Sequence, residues 1–511
     1  MAPTRMTLSG VLEGVRLRGV LARQWAEMTV GGLEYDSRKV EKDTLFFAFA
    51  GARVDGRQFA QDAEARGACA VVSELPRSED LTTGTAIPWV EVEHGRKALA
   101  IAARNFYAQP DERVHFTGIT GTNGKTTTAY LTDAILRRAG ASTAPTAMIG
   151  TIEYRIGNEI RKAPNTTPES LDVIRLAAEL EQRGGRYLTM EVSSHGLALG
   201  RVYGMQFHTA VFTNLTRDHL DFHQTMEKYA AAKRLLFSPD EGPAPQWAIL
   251  NADDPGSESM LPPGEARVIW YGISERADLR AENIRSGFDG LRFDAIYQGK
   301  RQAIESSLVG RINVSNILAA VGVGLSYGMD LKTIAEGIRM CPAVPGRFER
   351  VDGGQPFLVV VDYAHTDDAL RNVIRSAREL AVQAGNGRVI TLFGCGGDRD
   401  RTKRPLMGMA AAEASDFVVL TSDNPRSEDP LDIMNDVMVG LGRFDTPHVS
   451  EPDRAKAIGI ALAEAKAGDV VLLAGKGHET YQILKDRTID FDDRETARQV
   501  LRSLGYKKHA V

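Results

Sequence analysis

From residue 114 onward the chain repeats one pattern of apolar and polar positions. Short apolar runs end in Gly-rich or polar turns, and a helical stretch often follows. Residues 114–119 run into TGTNGKTTT, 187–190 into EVSSHG, 209–213 into NLTRDHLDFH and 357–361 into DYAHTDDAL. Further on, 388–393 run into GCGGDRD, 417–420 into TSDNPR and 470–473 into AGKGHE. Apolar runs of this length read as buried strands of a parallel sheet. Their alternation with helices predicts α/β sheets joined by right-handed crossovers. In such sheets ligands bind beyond the carboxyl ends of the strands. Nearly every polar cluster sits at such an end, so the clusters are predicted to line one or two clefts.

The segment before residue 113 differs. LEYDSRKVEKDTLFFAFAGARVDGRQFA mixes short strands with turns, and 57–67 reads as helical. A second change comes at CPAVPGRFE (341–349), where two Pro and a Gly interrupt the helix predicted over 331–340. The expected domains are therefore 1–112, 113–344 and 345–511. A chain of 511 residues agrees, since about 150 residues per domain gives about three. No internal repeat is found.

Composition narrows the class. With 43% apolar and 25% charged residues the chain reads as folded and soluble, which excludes disorder as its main state. A net charge of -5 is too small and too acidic for a protein that tracks nucleic acid by charge, so no nucleic-acid partner is expected. The start, MAPTRMTLSG, lacks an apolar core of signal-peptide length. The longest apolar runs fall far short of the ~20 residues a spanning helix needs, so no membrane insertion is expected. Three cysteines (Cys69, Cys341 and Cys395) cannot build a disulfide framework, which fits a reducing, cytoplasmic compartment.

TGTNGKTT (120–127) lies between a predicted strand and a helix predicted over 127–138, the context that a phosphate-binding loop needs. Amides of Gly121, Thr122, Asn123 and Gly124 can point at phosphate oxygens, helped by the helix dipole. Lys125 would reach the β and γ phosphates, and the Thr126 hydroxyl would bind Mg²⁺, with Thr127 beside it. The strict pattern has Gly at 119, where this chain has Ile119 with Gly118 beside it, so the loop is a variant. Glu191 closes a strand in EVSSHG, and a carboxylate with a hydroxyl and nucleotide phosphates suits a hard cation.

The loop resembles the TGTNGKT signature of the Mur ligase family, ATP-dependent ligases that form amide bonds through an acyl-phosphate. The resemblance implies three α/β domains. They are a small N-terminal docking domain for a UDP-muramoyl substrate, a central P-loop ATPase parallel sheet, and a C-terminal Rossmann-like domain for the incoming amino acid. It implies His219, in RDHLDFH, as a further metal ligand. It also implies a carbamate on Lys233, in HLDFHQTMEKYAAAKRLLF. By itself a lysine on that helix would read as a solvated face residue, and His195, His223, Asp218 and Asp221 are left as structural. NTTPES and EVSSHGLALGR are similar to the segments that hold the nucleotide-sugar peptide, which carries over Asn165, Thr166, Thr167, Ser193 and Arg201. Leu199 stands where many relatives have Gln. DSRKVEKDTLFFAFAG resembles the uridine-nucleotide docking region and implies Ser37 and Arg53. GRINVSNILAA brings in Asn313 and Asn316, Arg347 in PGRFE would meet the phosphates on domain closure, and Asp362 would meet the ribose.

DNPR (423–426) is the most discriminating string, and it is similar to the signature of the family branch that adds meso-2,6-diaminopimelate. The chemistry agrees. The far end of diaminopimelate carries an ammonium and a carboxylate, whereas lysine carries only the ammonium. Arg399 and Arg426 could grip that carboxylate, and Asp423 or Glu479 could take the ammonium. Asn424, Pro425 and Gly475 complete the expected pocket. A lysine-adding site would leave such an arginine unpaired.

The resemblance therefore implies an enzyme that uses ATP and Mg²⁺ to join meso-diaminopimelate to the D-Glu γ-carboxylate of UDP-N-acetylmuramoyl-L-Ala-D-Glu, as a cytoplasmic monomer. Lys125, Lys233, His219 and Arg347 would serve catalysis. The alternatives are the same reaction with lysine, a folylpolyglutamate synthetase, and a P-loop regulatory protein that uses ATP only as a switch.

Overall fold

The computed structural model describes residues 5–51, 54–78, 80, 84–139, 144–240 and 242–507. At the N-terminal end four parallel strands pair in the order Gly32–Glu34, Thr44–Phe47, Ala68–Ser73, Trp89–Glu91. All of Thr44–Phe47 is buried, as expected of a parallel strand covered on both faces. Helix Gly95–Phe106 turns Ala98, Leu99, Ala102, Ala103 and Phe106 inward at helical spacing.

The central sheet has eleven strands. Its parallel core orders Ala147–Ile149, Tyr187–Glu191, His115–Thr120, Phe207–Phe212, Trp247–Asn251, Arg267–Gly272 and Leu279–Gly287. Antiparallel strands extend both edges: Glu153–Ile156 and Glu159–Lys162 at one, Gly290–Tyr297 and Lys300–Ser306 at the other. Strand His115–Thr120 lies in the middle and feeds helix Lys125–Ala139 through the TGTNG turn. The helix therefore begins two residues earlier than the predicted 127.

The third sheet orders Glu349–Val351, Leu358–Asp362, Val470–Ala474, Val389–Phe393, Phe417–Leu420 and His448–Ser450, parallel except at its first edge. Strands at 358–362, 389–393, 417–420 and 470–474 each sit within one residue of the apolar runs read from the sequence. A small hairpin, Tyr481–Ile483 with Thr488–Asp490, lies beyond the carboxyl end of this sheet.

The joints between these units differ in kind. One apolar cluster runs without a break from Leu8 in the first unit to Met260 in the central one. The third sheet instead packs two clusters, one on each face, with only Val309 and Phe288 of the central unit reaching one of them. Ion pairs add to that junction: Arg217 Nη2 lies 3.0 Å from both oxygens of Asp367, and Lys403 Nζ 3.6 Å from Asp218. A joint held by exposed ion pairs opens at lower cost than one held by buried apolar surface. Among the described residues no helix is long and apolar enough to cross a membrane.

Candidate active site

The phosphate-binding turn exists because its glycines permit it. Gly121 has φ +145, and a Cβ there would fall 1.8 Å from Thr213 Oγ1. Gly124 has φ +85, and a Cβ would fall 2.3 Å from Asn316 Oδ1. Both the backbone conformation and the close approach therefore demand glycine. Asn316 packs against the turn, and it donates to Asn313 Oδ1 at 2.9 Å. Thr213 Oγ1 donates to Asn123 O at 2.6 Å, and Thr122 Oγ1 to Thr216 O at 3.2 Å, which ties the turn to the loop after the neighbouring strand.

Glu191 is buried at the end of its strand, where its carboxylate accepts from Thr126 Oγ1 at 3.0 Å, Thr151 N at 2.8 Å and Thr151 Oγ1 at 3.0 Å. Thr127 is buried on the first turn of the helix. A carboxylate and a hydroxyl in contact form an all-oxygen pair, the donor set that a hard divalent cation takes. No three His, Cys, Asp or Glu converge on a metal position among the described residues, so a cation here would draw further ligands from water and phosphate. His219 sits with φ +53 at the start of the short helix Leu220–His223. Burial holds its imidazole down at about 4 against the pull of Asp218, so it is neutral near pH 7.

Two lysines converge on one carbonyl. Lys125 Nζ donates to Gly121 O at 2.9 Å and to Thr122 O at 2.8 Å. Lys233 Nζ donates to Gly121 O at 2.8 Å and lies 4.3 Å from the centre of the Tyr229 ring. The sequence alone favoured a solvated Lys233, but the structure corrects this, since helix Met226–Arg234 buries it completely to within 1%. Burial, with the Lys125 charge beside it, holds the Lys233 amine well below its usual value; burial lowers Lys125 as well.

Arg347 reaches the phosphate turn from the third unit. Its Nη2 lies 3.4 Å from Thr126 Oγ1, and its guanidinium stacks 4.7 Å from the Tyr363 ring centre. The next residue, Phe348, has φ +47, an unusual conformation for an aromatic side chain. Asp362 Oδ2 holds it there by accepting from Phe348 N at 2.7 Å, while Oδ1 accepts from Ala364 N at 2.8 Å. Asp362 thus fixes the backbone just after Arg347 and just after Tyr363, the ring on which Arg347 stacks.

Between the first and central units lies the second group of predicted residues. Thr167 Oγ1 donates to Glu191 O at 2.9 Å and accepts from Ser193 N at 2.9 Å, and Ser193 Oγ accepts from Gly196 N at 3.0 Å. Thr166 Oγ1 lies 3.1 Å from Thr151 Oγ1, and Asn165 O accepts from Tyr154 OH at 2.5 Å. Arg201 was expected to face a substrate anion. Here its Nε donates to Glu169 at 3.1 Å and its Nη1 to Thr167 O at 2.9 Å, so it braces this loop. Arg96, which the motifs did not flag, shares the same Glu169 oxygen at 3.2 Å. Ser37 is buried in a short turn of the first unit; Arg53 lies outside the described residues.

The third group gathers beyond the carboxyl end of the third sheet. Arg426 Nη1 donates to Gly397 O at 2.8 Å and to Asn424 O at 3.3 Å, which joins the DNPR loop to the loop that carries Arg399. Both arginines flank Gly396, where a Cβ would fall 2.9 Å from Arg426 Nη1 and 3.8 Å from Arg399 Cγ. Asn424 Nδ2 donates to Glu479 Oε2 at 2.8 Å, which joins DNPR to GKGHE. Asp423 sits close to Gly475, whose Cβ would fall 2.7 Å from Asp423 Oδ2. Pro425 completes the turn before Arg426, which has φ +54.

Sequence reasoning missed the supports of this pocket. Lys476 is fully buried and contacts Asn424 Oδ1 at 3.2 Å and Glu479 Oε2 at 3.3 Å. Gln482 Nε2 donates to Asp423 O at 2.6 Å, and Ile483 N to Asn424 Oδ1 at 2.9 Å. Beneath them the buried pair Arg454–Asp493 at 2.6 Å also binds Ala474 O at 3.0 Å and Ser422 O at 3.3 Å, clamping two strand ends together. Lys476 was visible within GKGHE; its burial was not.

The model of the Mur ligase middle domain matches residues 119–324, that of the Mur ligase glutamate ligase domain 346–477, and that of the Mur ligase family catalytic domain 29–107. A protein of Solibacter usitatus (strain Ellin6076), named UDP-N-acetylmuramoyl-L-alanyl-D-glutamate--2,6-diaminopimelate ligase, is 61% identical over 501 residues, covering 98% of this chain and 99% of its own. A protein of the same name from Geobacillus thermodenitrificans (strain NG80-2) is 47% identical, covering 95% of this chain and 98% of its own. A solved structure of a ligase of that name is 32% identical, with a TM-score of 0.67, covering 96% of this chain and 98% of its own.

Proposed function

The chain belongs to the Mur ligase family, and from that premise we propose that it joins meso-2,6-diaminopimelate to UDP-N-acetylmuramoyl-L-Ala-D-Glu at the expense of ATP. The supporting observation is the union of three loops: Arg426 bonded to Gly397 O, and Asn424 bonded to Glu479. That union brings together the loops that carry Arg399, Arg426, Asp423 and Glu479, residue types suited to a carboxylate and an ammonium on the same carbon.

The reaction runs in two steps. The D-Glu γ-carboxylate oxygen attacks the γ-phosphorus of ATP, and ADP leaves, giving an acyl-phosphate. The neutral amine of diaminopimelate then attacks the acyl carbon. The tetrahedral intermediate expels phosphate, the nitrogen loses a proton, and the amide remains. Activating the carboxylate in this way replaces a poor leaving group with a good one. The protein contributes positioning and charge. Lys125 would leave its loop carbonyls to bind the β and γ phosphates, and Arg347 would balance the charge that develops during transfer. Asn316 and Asp362 would serve the nucleotide. Asn165, Thr166, Thr167, Ser193, Arg201, Ser37 and Arg53 would hold the UDP-muramoyl peptide.

Thr126, Glu191 and His219 fit Mg²⁺ as oxygen donors and a neutral imidazole, and the ion would neutralise phosphate charge when bound. Lys233 would join them as a carbamate. Its depressed, buried amine supports this: a neutral amine adds CO₂, releases one proton and becomes an anion. Labelling with ¹³CO₂ should give a carbamate carbon signal that is absent in Lys233→Met. Lack of that signal in the native chain removes the carbamate from the proposal. The proposed use of ATP and of a UDP-linked precursor supports work in the cytoplasm.

Phosphate release tests the whole reading. It should require ATP, the UDP-muramoyl dipeptide and diaminopimelate together, with lysine and ornithine as poor replacements. Equal rates with lysine would refute the specificity. ATP binding without turnover would favour the switch protein.

A further inference from the structure

The buried ammonium of Lys476 has no part in the reaction above, yet it touches the amino-acid pocket. Its side chain is fully covered, and among the described residues its polar contacts are Asn424 Oδ1 at 3.2 Å and Glu479 Oε2 at 3.3 Å, with the Tyr481 ring centre at 5.9 Å. Asn424 and Glu479 also bond each other at 2.8 Å, so the three groups close a triangle. Ile483 N occupies the same Asn424 oxygen at 2.9 Å, which fixes the orientation of that amide: oxygen toward Lys476, nitrogen toward Glu479.

This arrangement has an electrostatic consequence. Glu479 already has an internal cation, so it is not a bare anion awaiting one. Of the side chains assigned to the ligand and its direct support, three are cationic (Arg399, Arg426, Lys476) and two anionic (Asp423, Glu479), while the buried Arg454–Asp493 pair beneath them adds no net charge. A pocket with one surplus positive charge suits the far end of diaminopimelate, which is neutral overall. It repels the far end of lysine, which is a lone ammonium. Take Lys476 away, and Glu479, whose side chain is only 13% exposed, loses its directly paired cation, so that its best available partner is a substrate ammonium.

We propose that Lys476 is a specificity-determining positioning residue: by neutralising and orienting Glu479 behind the pocket, it biases the site against amino acids whose side chain ends in a bare cation. The inference rests on the diaminopimelate reading of this pocket. Lys476 acts through Asn424 and Glu479 and does not touch the substrate.

The test is the ratio of kcat/KM for diaminopimelate to that for lysine. In Lys476→Met the ratio should fall at least tenfold, part of it from a gain with lysine. Lys476→Arg keeps the charge and should keep the ratio within about threefold even where the rate drops. In the double variant K476M/E479Q the surplus charge returns to its native value, so the gain with lysine should vanish. A purely structural lysine would lower thermal stability and both kcat/KM values together, leaving the ratio unmoved; that outcome overturns the proposal. So does an Arg variant that loses the ratio as fully as the Met variant. If Lys476→Met does not fold, K476M/E479Q is compared with Glu479→Gln alone: with the carboxylate gone the two ratios should agree within about threefold, and a further tenfold fall on removing Lys476 overturns the proposal. Arg426→Ala runs in parallel. If it leaves diaminopimelate use intact, the reading of the pocket itself has failed. If it cripples that use while K476M leaves the ratio alone, only the role of Lys476 has failed.

Discussion

Two fully buried lysines, Lys233 and Lys476, sit in the central and third units with opposite surroundings. Lys233 has a backbone carbonyl, an aromatic face and a second lysine nearby. Lys476 has a carboxylate and a fixed amide oxygen. The first group has Glu191 and Asp218 acting on it only from beyond hydrogen-bond contact; in the second, Lys476 is paired directly with Glu479. The difference matches the ligands. A site for a polyanion gains by holding cations in reserve, because the ligand supplies the missing charge. A site for a zwitterion must be close to balanced before the ligand arrives, or the ligand's own charges are mismatched.

The comparison can be broken by experiment, beginning where the effect is largest. Lys125→Met removes the reserve cation on the transferred phosphoryl group and should cost at least about 10³-fold in kcat, in line with loss of a transition-state charge contact. Phosphate release with all three substrates measures it, and a loss under tenfold would mean that the central cations are not held for ATP. Lys233→Met should come next, at roughly 10²-fold, and unlike a mere core lysine its loss should steepen the Mg²⁺ dependence of the rate.

A smaller effect belongs to the polar joint. Reversing one charge of the Arg217–Asp367 pair should raise KM for the amino acid about two- to fivefold, the scale of an exposed ion pair. The charge swap R217D/D367R should recover most of it, and high salt should erase the difference between variants. No recovery on swapping would mean that the pair does not hold the closed joint.

The smallest effect is acid sensitivity. Burial and His115 hold His208 at about 4; burial, Arg347 and Arg494 hold His478 at about 3. Both lie below the ~6.5 of an unfolded histidine. Between those limits the unfolded chain binds more protons than the folded one. Stability is therefore complete above about pH 6.5 and declines as pH falls toward 4 and then 3. Denaturant midpoints measured from pH 7 to pH 4.5 should fall, less steeply in His208→Gln and His478→Gln than in the native chain.

Much of the site could be read along the chain because it is local. The turn glycines, Lys125, Thr126 and the DNPR string lie at strand ends, where a short apolar run stops and a turn must follow. Arg347 was visible as the residue after a Pro-Gly break. Lys476 lay in plain view inside GKGHE, and Lys233 on an ordinary helix pattern. Neither could be recognised as buried, because burial depends on what packs above a residue from elsewhere. The partner of Arg201 was out of sight for the same reason: Glu169 lies 32 residues away.

The sequence by itself therefore determined which elements form, in what order, and which chemistry stands at their ends, since periodicity and turn chemistry act over a few residues. The tertiary structure alone decided the charge balance of each pocket. Asn424 meets Glu479 across 55 residues and Arg347 meets Thr126 across 221. A charge has no set partner or dielectric until the fold brings such distant segments together.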